Sequence, residues 1–342
     1  MTTVVTFGEI MLRLSPPGYE RLLQSPSLSA TFGGAEANVA VSLAQWGLGS
    51  VFVTRLPRNA VGDAALRALR TEGVRTDFVL RGGERLGIYF SEAGASQRPS
   101  TVIYDRAHSS MATIDPTEID WPRALAGARW FHVTGVTAAL GPDIARSVAK
   151  ALTAARAAGA TVSVDLNFRR TLWSEAEAQK AMRPLMKDVD VVIANEEDIQ
   201  SVLGLEVPGV DVGSGRVGAA AYRDVAQRVS REFGPRMVAV TLRESLSASD
   251  NGWSAVLWDE PRSAFVESHR YDVRIVDRIG GGDAFAAGLI YGLATGRAPD
   301  AALRFAVAAG ALKQTIPGDF NRVTVDEVDR LAGGDASGRV RR

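Results

Sequence analysis

Six short, nearly uninterrupted apolar runs punctuate the chain: Val4 to Phe7, Val51 to Thr54, Trp130 to Val133, Val162 to Val164, Val191 to Ala194 and Val238 to Leu242. Strands without polar alternation suit a parallel sheet covered on both faces. Between them Ala35 to Trp46, Gly62 to Glu72, Pro142 to Ala158, Ser174 to Met186 and Ala219 to Phe233 carry helical spacing, most ending near glycine. This alternation predicts a doubly wound, mostly parallel α/β sheet with helices on both faces. Two stretches break the rhythm, Met11 to Gly33 and Leu80 to about Ser110, where Gly87 to Glu92 and Thr101 to Arg106 read as strands with no helix between them. We assign 11–33 and 80–110 to a small β appendage and 1–10, 34–79 and 111–332 to the core. Both appendage segments precede the same half of the sheet, so a lid over one ligand site is the economical reading, with ordinary surface hairpins as the alternative. Residues 333–342 are expected to form a flexible tail.

Composition narrows the functional classes. Of 342 residues, 46% are hydrophobic, enough for a large core in one domain with an appendage, or in two. Lys and Arg together number 39, as do Asp and Glu, so no bulk field exists to hold nucleic acid or an anionic membrane, and any anion must be bound locally. The absence of cysteine excludes disulfides, thiolate zinc sites and a cysteine nucleophile, and fits a reducing, cytoplasmic setting. Met1 to Phe7 has no basic leader, and no run approaches the ~18 apolar residues of a membrane span. A cytoplasmic protein without nucleic-acid or membrane partners is expected.

The most informative stretch runs from Ile275 to Phe285. A β-like run ends in Gly280, Gly281 and Gly282 and opens an Ala-rich helix with Asp283 in its first turn. Three glycines let amide hydrogens converge, and the helix adds its positive end, so an anion, most plausibly phosphate, can settle there. A carboxylate beside such a cradle repels the ligand unless it takes a proton from a hydroxyl that attacks the phosphorus. The pattern therefore reads as phosphoryl transfer to an alcohol. The alternative is a plain glycine turn whose acid answers the helix dipole.

Ligands of such sheets collect at the carboxyl ends of the strands. Glu9, the run Asp165-Leu166-Asn167-Phe168-Arg169, Asn195-Glu196-Glu197-Asp198 and Arg243-Glu244-Ser245 all follow predicted strands. A second glycine site, Gly33-Gly34, enters a helix with Asn38 one turn in, where it can exchange hydrogen bonds with sugar hydroxyls. Arg106 and Arg169 could each fork onto a carboxylate or phosphate. Gly213-Ser214-Gly215-Arg216-Val217-Gly218 matches a dinucleotide fingerprint but follows a loop rather than a strand, and no P-loop occurs. His108, His132 and His269 have no metal-ligand spacing.

With these residues in place, the chain resembles the ribokinase-like (PfkB) sugar kinases over nearly its whole length. Two signatures carry the resemblance: the early Gly33-Gly34-Ala35-Glu36-Ala37-Asn38 and the late Asp277-Arg278-Ile279-Gly280-Gly281-Gly282-Asp283. Within that family it looks most like the 2-keto-3-deoxygluconate kinases, through Gly8 to Pro17, Tyr104-Asp105-Arg106, Asp165 to Arg169 and Thr241 to Ser245. The resemblance implies a ribokinase-like fold with ATP and Mg²⁺ as cofactors, and transfer of the γ-phosphoryl group to the sugar acid's 6-hydroxyl. It assigns Asp283 as base, and Gly280, Gly281 and Gly282 as amide donors. Gly33, Gly34, Asn38, Tyr89, Tyr104, Arg106 and Arg169 would hold the substrate, the arginines answering its carboxylate. Asn167, Asn195, Thr241, Arg243, Glu244, Ser245, Gly280 and Gly282 would meet ATP, with Trp253 nearby. Asn195 and Asp198 would hold Mg²⁺ through water, with Glu197 as a possible sharer. A fructokinase-like enzyme and a non-catalytic sugar or nucleotide sensor are the rivals, and a homo-oligomer through the lid is reasonable. Four departures stand out. The family's NxxE motif appears as Asn195-Glu196-Glu197-Asp198, one methylene short at its last position. Arg278 and Ile279 replace the usual threonines after Asp277, which leaves open whether a monovalent cation binds. Glu9 replaces the Asp of ribose kinases. The nucleotide-side glycine pair is absent.

Overall fold

The computed structural model describes residues 2–195, 197–206 and 219–338. Glu196, the Gly213 to Gly218 motif and the last four residues of the expected tail lie outside them. The strands are β1 (Thr3–Phe7), β2 (Met11–Ser15), β3 (Ser29–Gly33), β4 (Gly49–Leu56), β5 (Val79–Arg81), β6 (Ile88–Glu92), β7 (Thr101–Asp105), β8 (Trp130–Thr134), β9 (Thr161–Asp165), β10 (Val191–Ala194), β11 (Met237–Ser245), β12 (Asp250–Asp259), β13 (Ala264–Glu267) and β14 (Tyr271–Arg274). The helices are α1 (Ala35–Gln45), α2 (Ala60–Thr71), α3 (Trp121–Ala124), α4 (Gly135–Ala138), α5 (Pro142–Ala157), α6 (Glu175–Met182), α7 (Asp198–Leu203), α8 (Ala219–Phe233), α9 (Gly281–Ala294), α10 (Pro299–Lys313) and α11 (Val325–Ala332).

The large sheet runs β13-β12-β11-β10-β9-β8-β1-β4-β5, parallel from β11 to β5, with β14 also pairing β12. Neighbouring residues of one strand feed opposite layers, as period-two geometry demands. Val5 and Val192 join the layer of α5, α6 and α8, built on Val148, Met182 and Val225. Val4 and Ile193 join the layer of α1, α9 and α10, built on Leu43, Phe285 and Phe305. The second sheet, β3-β2-β6-β7, draws its strands from the two segments that broke the rhythm.

The structure departs from the sequence reading at three places. Leu80 and Arg81, expected in the appendage, belong to edge strand β5 of the large sheet. Arg243, Glu244 and Ser245 do not follow a strand: β11 continues through them, paired antiparallel with β12 as far as Ser245 opposite Asn251. Polar residues there break the apolar run while the backbone remains extended. The helix expected over 174–186 ends at Met182 and tightens into a 3₁₀ segment, Arg183–Asp188, because Pro184 lacks the amide that another α-turn needs. Among the described residues no helix is long and apolar enough to cross a membrane.

A buried ionic network ties the small sheet to the core. The Arg13 guanidinium on β2 lies 2.7 Å from Asp277 and 2.8 Å from Asp319, and the Tyr89 hydroxyl on β6 donates to Asp319 at 2.6 Å. The two carboxylates hold the Arg13 charge more firmly than burial opposes it, and burial beside Asp319 pushes the Tyr89 phenol well above its ordinary range. Removing one member strands buried charge. Arg13→Met is therefore expected to lower unfolding free energy by about 3–5 kcal/mol, measured by urea denaturation. A loss under ~1 kcal/mol would place the pair with solvent-screened surface bridges instead.

Candidate active site

At the carboxyl ends of β1, β9, β10 and β11 lies a cleft of about 360 Å³, closed on one side by the small sheet. Its floor is the turn into α9. Gly280 caps the helix with φ +84°, a left-handed conformation that glycine adopts without strain, and a Cβ there would run into the Asp319 carbonyl oxygen. Among the described residues, neither the Gly282 nor the Asp283 amide finds a main-chain acceptor, so both remain available to an anion.

Asp283 stands in this first turn. Its Oδ2 accepts from Asn38 Nδ2 at 2.6 Å, and Asn38 Oδ1 accepts the Gly34 amide at 3.3 Å. The early glycine pair and the late acid, 245 residues apart at Asn38 and Asp283, thus form one constellation. Gly34 lets α1 start against the chain after β1, since a Cβ would collide with the Glu9 carbonyl oxygen. Gly33 ends β3 just outside the lining. Withdrawal from water pushes the Asp283 carboxyl up to about 6, with Asp319 adding to the rise, while the Asn38 bond, Arg169 and Lys313 oppose it.

A second group of acids faces the cleft beside it. Asp165 ends β9 and Asp198 starts α7, both buried. Asp198 accepts the amides of Phe168 at 3.0 Å and Asn195 at 2.9 Å, while Asn195 Oδ1 caps α7 by accepting from Glu197 and Asp198. Burial raises both carboxyls, Asp165 well above the usual range, and the charges of Asp198 and Asp283 add to the rise of Asp165. Asn167, at φ +38°, is held in a strained turn whose amide donates to Asp165. Arg169 donates to the Phe168 carbonyl at 3.0 Å and lowers all three acids. Hard oxygen donors that repel one another and are only partly offset by Arg169 suit Mg²⁺. Among the described residues no three acids or histidines cluster tightly enough to enclose a metal directly.

At the small-sheet end, Tyr89 and Tyr104 line the cleft with ring centroids 5.8 Å apart. Arg106 is already engaged. Its Nε and Nη2 donate to Glu9 Oε2 at 2.8 and 2.5 Å, and the Ser109 hydroxyl donates to Glu9 Oε1; among the described residues Nη1 has no acceptor, which leaves it for a ligand. At the β11 end, Thr241, Arg243 and Trp253 line the wall together with Arg278 and Gln314. The buried Nε atoms of Arg243 and Arg278 have no acceptor among the described residues. Burial, then the Arg243 charge, lowers the Arg278 pKa. Arg278 Nη2 donates to the Ser247 and Ala248 carbonyls at 3.4 and 3.2 Å, and among the described residues neither guanidinium is in an ion pair, so two cations facing one space suit a polyanion. Glu244 and Ser245 lie outside the lining, Glu244 paired with Arg270 at 2.8 Å.

Several lining residues were not singled out from the sequence. Glu36 is buried, accepts from the Thr134 amide and the Thr134 and Thr137 hydroxyls, and is pushed up to about 7 by burial. Asp319 and Gln314 come from a C-terminal loop and a helix end with no local motif, and Asp319 takes its meaning from distant partners, Arg13 306 and Tyr89 230 residues away. His132 is core, bonded to Ser163 and pushed down to about 3 by burial.

Known proteins share this architecture. A family model described as pfkB family carbohydrate kinase matches residues 1–321. A crystal structure of 2-dehydro-3-deoxygluconokinase from Thermotoga maritima superposes with a TM-score of 0.94 at 50% identity, covering 98% of this chain and 100% of that one. A 2-dehydro-3-deoxygalactonokinase of Haloferax volcanii is 35% identical over 97% of this chain and 98% of its own. A 2-dehydro-3-deoxygluconokinase of Bacillus subtilis is 28% identical over 94% of this chain and 93% of its own. With both glycine signatures converging on one acid in the same cleft, this chain belongs to the pfkB family of carbohydrate kinases.

Proposed function

We propose that the chain is an ATP-dependent sugar-acid kinase that phosphorylates the 6-hydroxyl of 2-keto-3-deoxygluconate to give 2-keto-3-deoxy-6-phosphogluconate. The observation that carries this is Asp283 bonded to Asn38 at the mouth of an amide turn. The likeness to two 2-dehydro-3-deoxygluconokinases and a 2-dehydro-3-deoxygalactonokinase supports the substrate class. In the reaction the sugar's hydroxyl oxygen attacks the γ-phosphorus in line as the bond to the β-phosphate oxygen breaks. The hydroxyl proton passes to Asp283 and later to water, and ADP leaves with the bridging electron pair. Asn38 orients the base. The Gly282 and Asp283 amides neutralise charge on the equatorial oxygens, and Arg243 with Arg278 takes the remaining phosphates. Mg²⁺, held through water by Asn195, Asp198 and Asp165, would supply charge neutralisation on the phosphate oxygens. Residues 11–33 and 82–110 act as a lid that excludes competing water.

The free Nη1 of Arg106, together with Arg169, is assigned to the substrate carboxylate. Because Glu9 already neutralises much of Arg106, a neutral ketose is the second reading. Turnover tests the two. With 2-keto-3-deoxygluconate, Arg106→Ala and Arg169→Ala should each lower kcat/KM by about 10- to 10²-fold, the worth of a charged hydrogen bond. A parent enzyme that prefers fructose, with variants that lose little, would favour the neutral substrate. Asp283→Asn should lower kcat by ~10² to 10⁴ while leaving sugar KM nearly unchanged, read by coupled ADP release, and wild-type turnover would remove the proposed base. Since Asp283 must be ionised to accept a proton and its folded pKa is raised to about 6, log kcat/KM should fall with unit slope as pH drops below that value. A profile flat to pH 4.5 would contradict this assignment. Arg278→Leu should raise KM for ATP and leave that for the sugar in place, and the reverse pattern would move Arg278 to the sugar side.

A further inference from the structure

Beneath the anion turn lies a charged side chain that the mechanism above does not use. Lys313, the last residue of α10, is fully buried, at 0% exposure. Among the described residues no carboxylate lies within ion-pair distance of its ammonium. Asp277 and Asp319, the nearest acids by charge, are both bridged by Arg13 at 2.7 and 2.8 Å. The neighbours of Lys313 Nζ are instead main-chain carbonyls, Asp277 O at 3.5 Å and Ile316 O at 3.3 Å. Its stem runs under Gly280, where a Cβ would stand 3.2 Å from Lys313 Cε. Asp277 opens the turn whose other end supplies the Gly282 and Asp283 amides: its side chain accepts from the Ile279 and Gly318 amides, and its carbonyl accepts from Lys313.

A lysine serving only as a helix C-cap would keep its ammonium in water, because desolvating that charge without an anionic partner is costly. Here it is buried against carbonyl oxygens, the ligand set that a small monovalent cation would take. We propose that the Lys313 ammonium is a tethered cation that holds the 277–280 turn in its anion-accepting shape and places fixed positive charge behind it, so that Lys313 is a positioning residue for phosphoryl transfer. Asp283 senses this charge, since Lys313 opposes the rise in its pKa. An enzyme built this way needs no dissociable monovalent ion at the turn. The inference rests on the kinase reading of the cleft, and its test separates the two.

Full-length Lys313→Met, which keeps the stem without the charge, and Lys313→Ala, which leaves room for a small cation, are compared with the parent in tetramethylammonium buffer free of K⁺ and Na⁺. Rates are normalised to the folded fraction by thermal melts. The expected result for Lys313→Met is a kcat lowered ~10- to 10²-fold, as when an anion-stabilising group is lost, with sugar KM unmoved and no response to added salts. Lys313→Ala should lose as much and recover saturably with ammonium, methylammonium or K⁺. Parent-like kcat in Lys313→Met, whatever its melting temperature, would overturn the proposal, as would a Lys313→Ala defect that no small cation relieves. If neither variant folds, the parent decides: activity indifferent to K⁺ and ammonium supports the tethered cation, and strong activation by either refutes it. Should the parent transfer no phosphate at all, the kinase reading fails by itself. Calorimetric binding of AMP-PNP then judges Lys313, expected several-fold weaker in Lys313→Met and restored by ammonium in Lys313→Ala, with unchanged binding as the refuting result.

Discussion

Negative charge gathered at one end of a buried sheet is the constraint that organises this molecule. Asp165, Asp198, Asp283 and Asp319 line a cleft whose floor is shaped for a phosphate, with Asp277 at the start of the turn that forms this floor. Left alone, five carboxylates would repel both one another and the ligand. Arg169 answers the first three, Arg13 bridges the last two, and Lys313 lies behind the turn. Asp283 is left partly uncompensated, which is how a carboxylate comes to have the basicity a proton acceptor needs.

The same charges join the two sheets. Arg13 belongs to β2, while Asp277 and Asp319 belong to the segments flanking α9 and α10, so seating the small sheet also completes the charge balance under the anion turn. Tyr89 repeats the link from β6 and lines the cleft as well. One network therefore couples the closing element to the electrostatics of the floor, and a change at either place is felt at the other through shared carboxylates.

Legibility from sequence followed local physics. Parallel strands buried on both faces are mostly apolar, so β1, β4, β8, β9 and β10 are readable from short runs; β11 is readable only as far as Leu242, because Arg243 to Ser245 extend past the covered sheet. The late glycine turn was legible because backbone chemistry demands glycine at Gly280. Glu244 and Ser245 show the opposite case: their position after an apolar run suggested the site, yet strand pairing carries them outside the lining. Glu36, Asp319 and Lys313 left no local signal, since an acid or a lysine in a helix or loop reads as solvated until its surroundings are known.

What the chain determined by itself was the alternation of buried strands and helices, the two glycine turns and the presence of an acid beside the second, all of them consequences of short-range sterics and periodicity. Which charges meet was decided only by the tertiary structure. Asn38 reaches Asp283, Arg106 is claimed by Glu9, and Lys313 is enclosed with carbonyls, because packing removes water from between groups tens to hundreds of residues apart. Electrostatic strength depends on that removal, and no spacing along the chain encodes it.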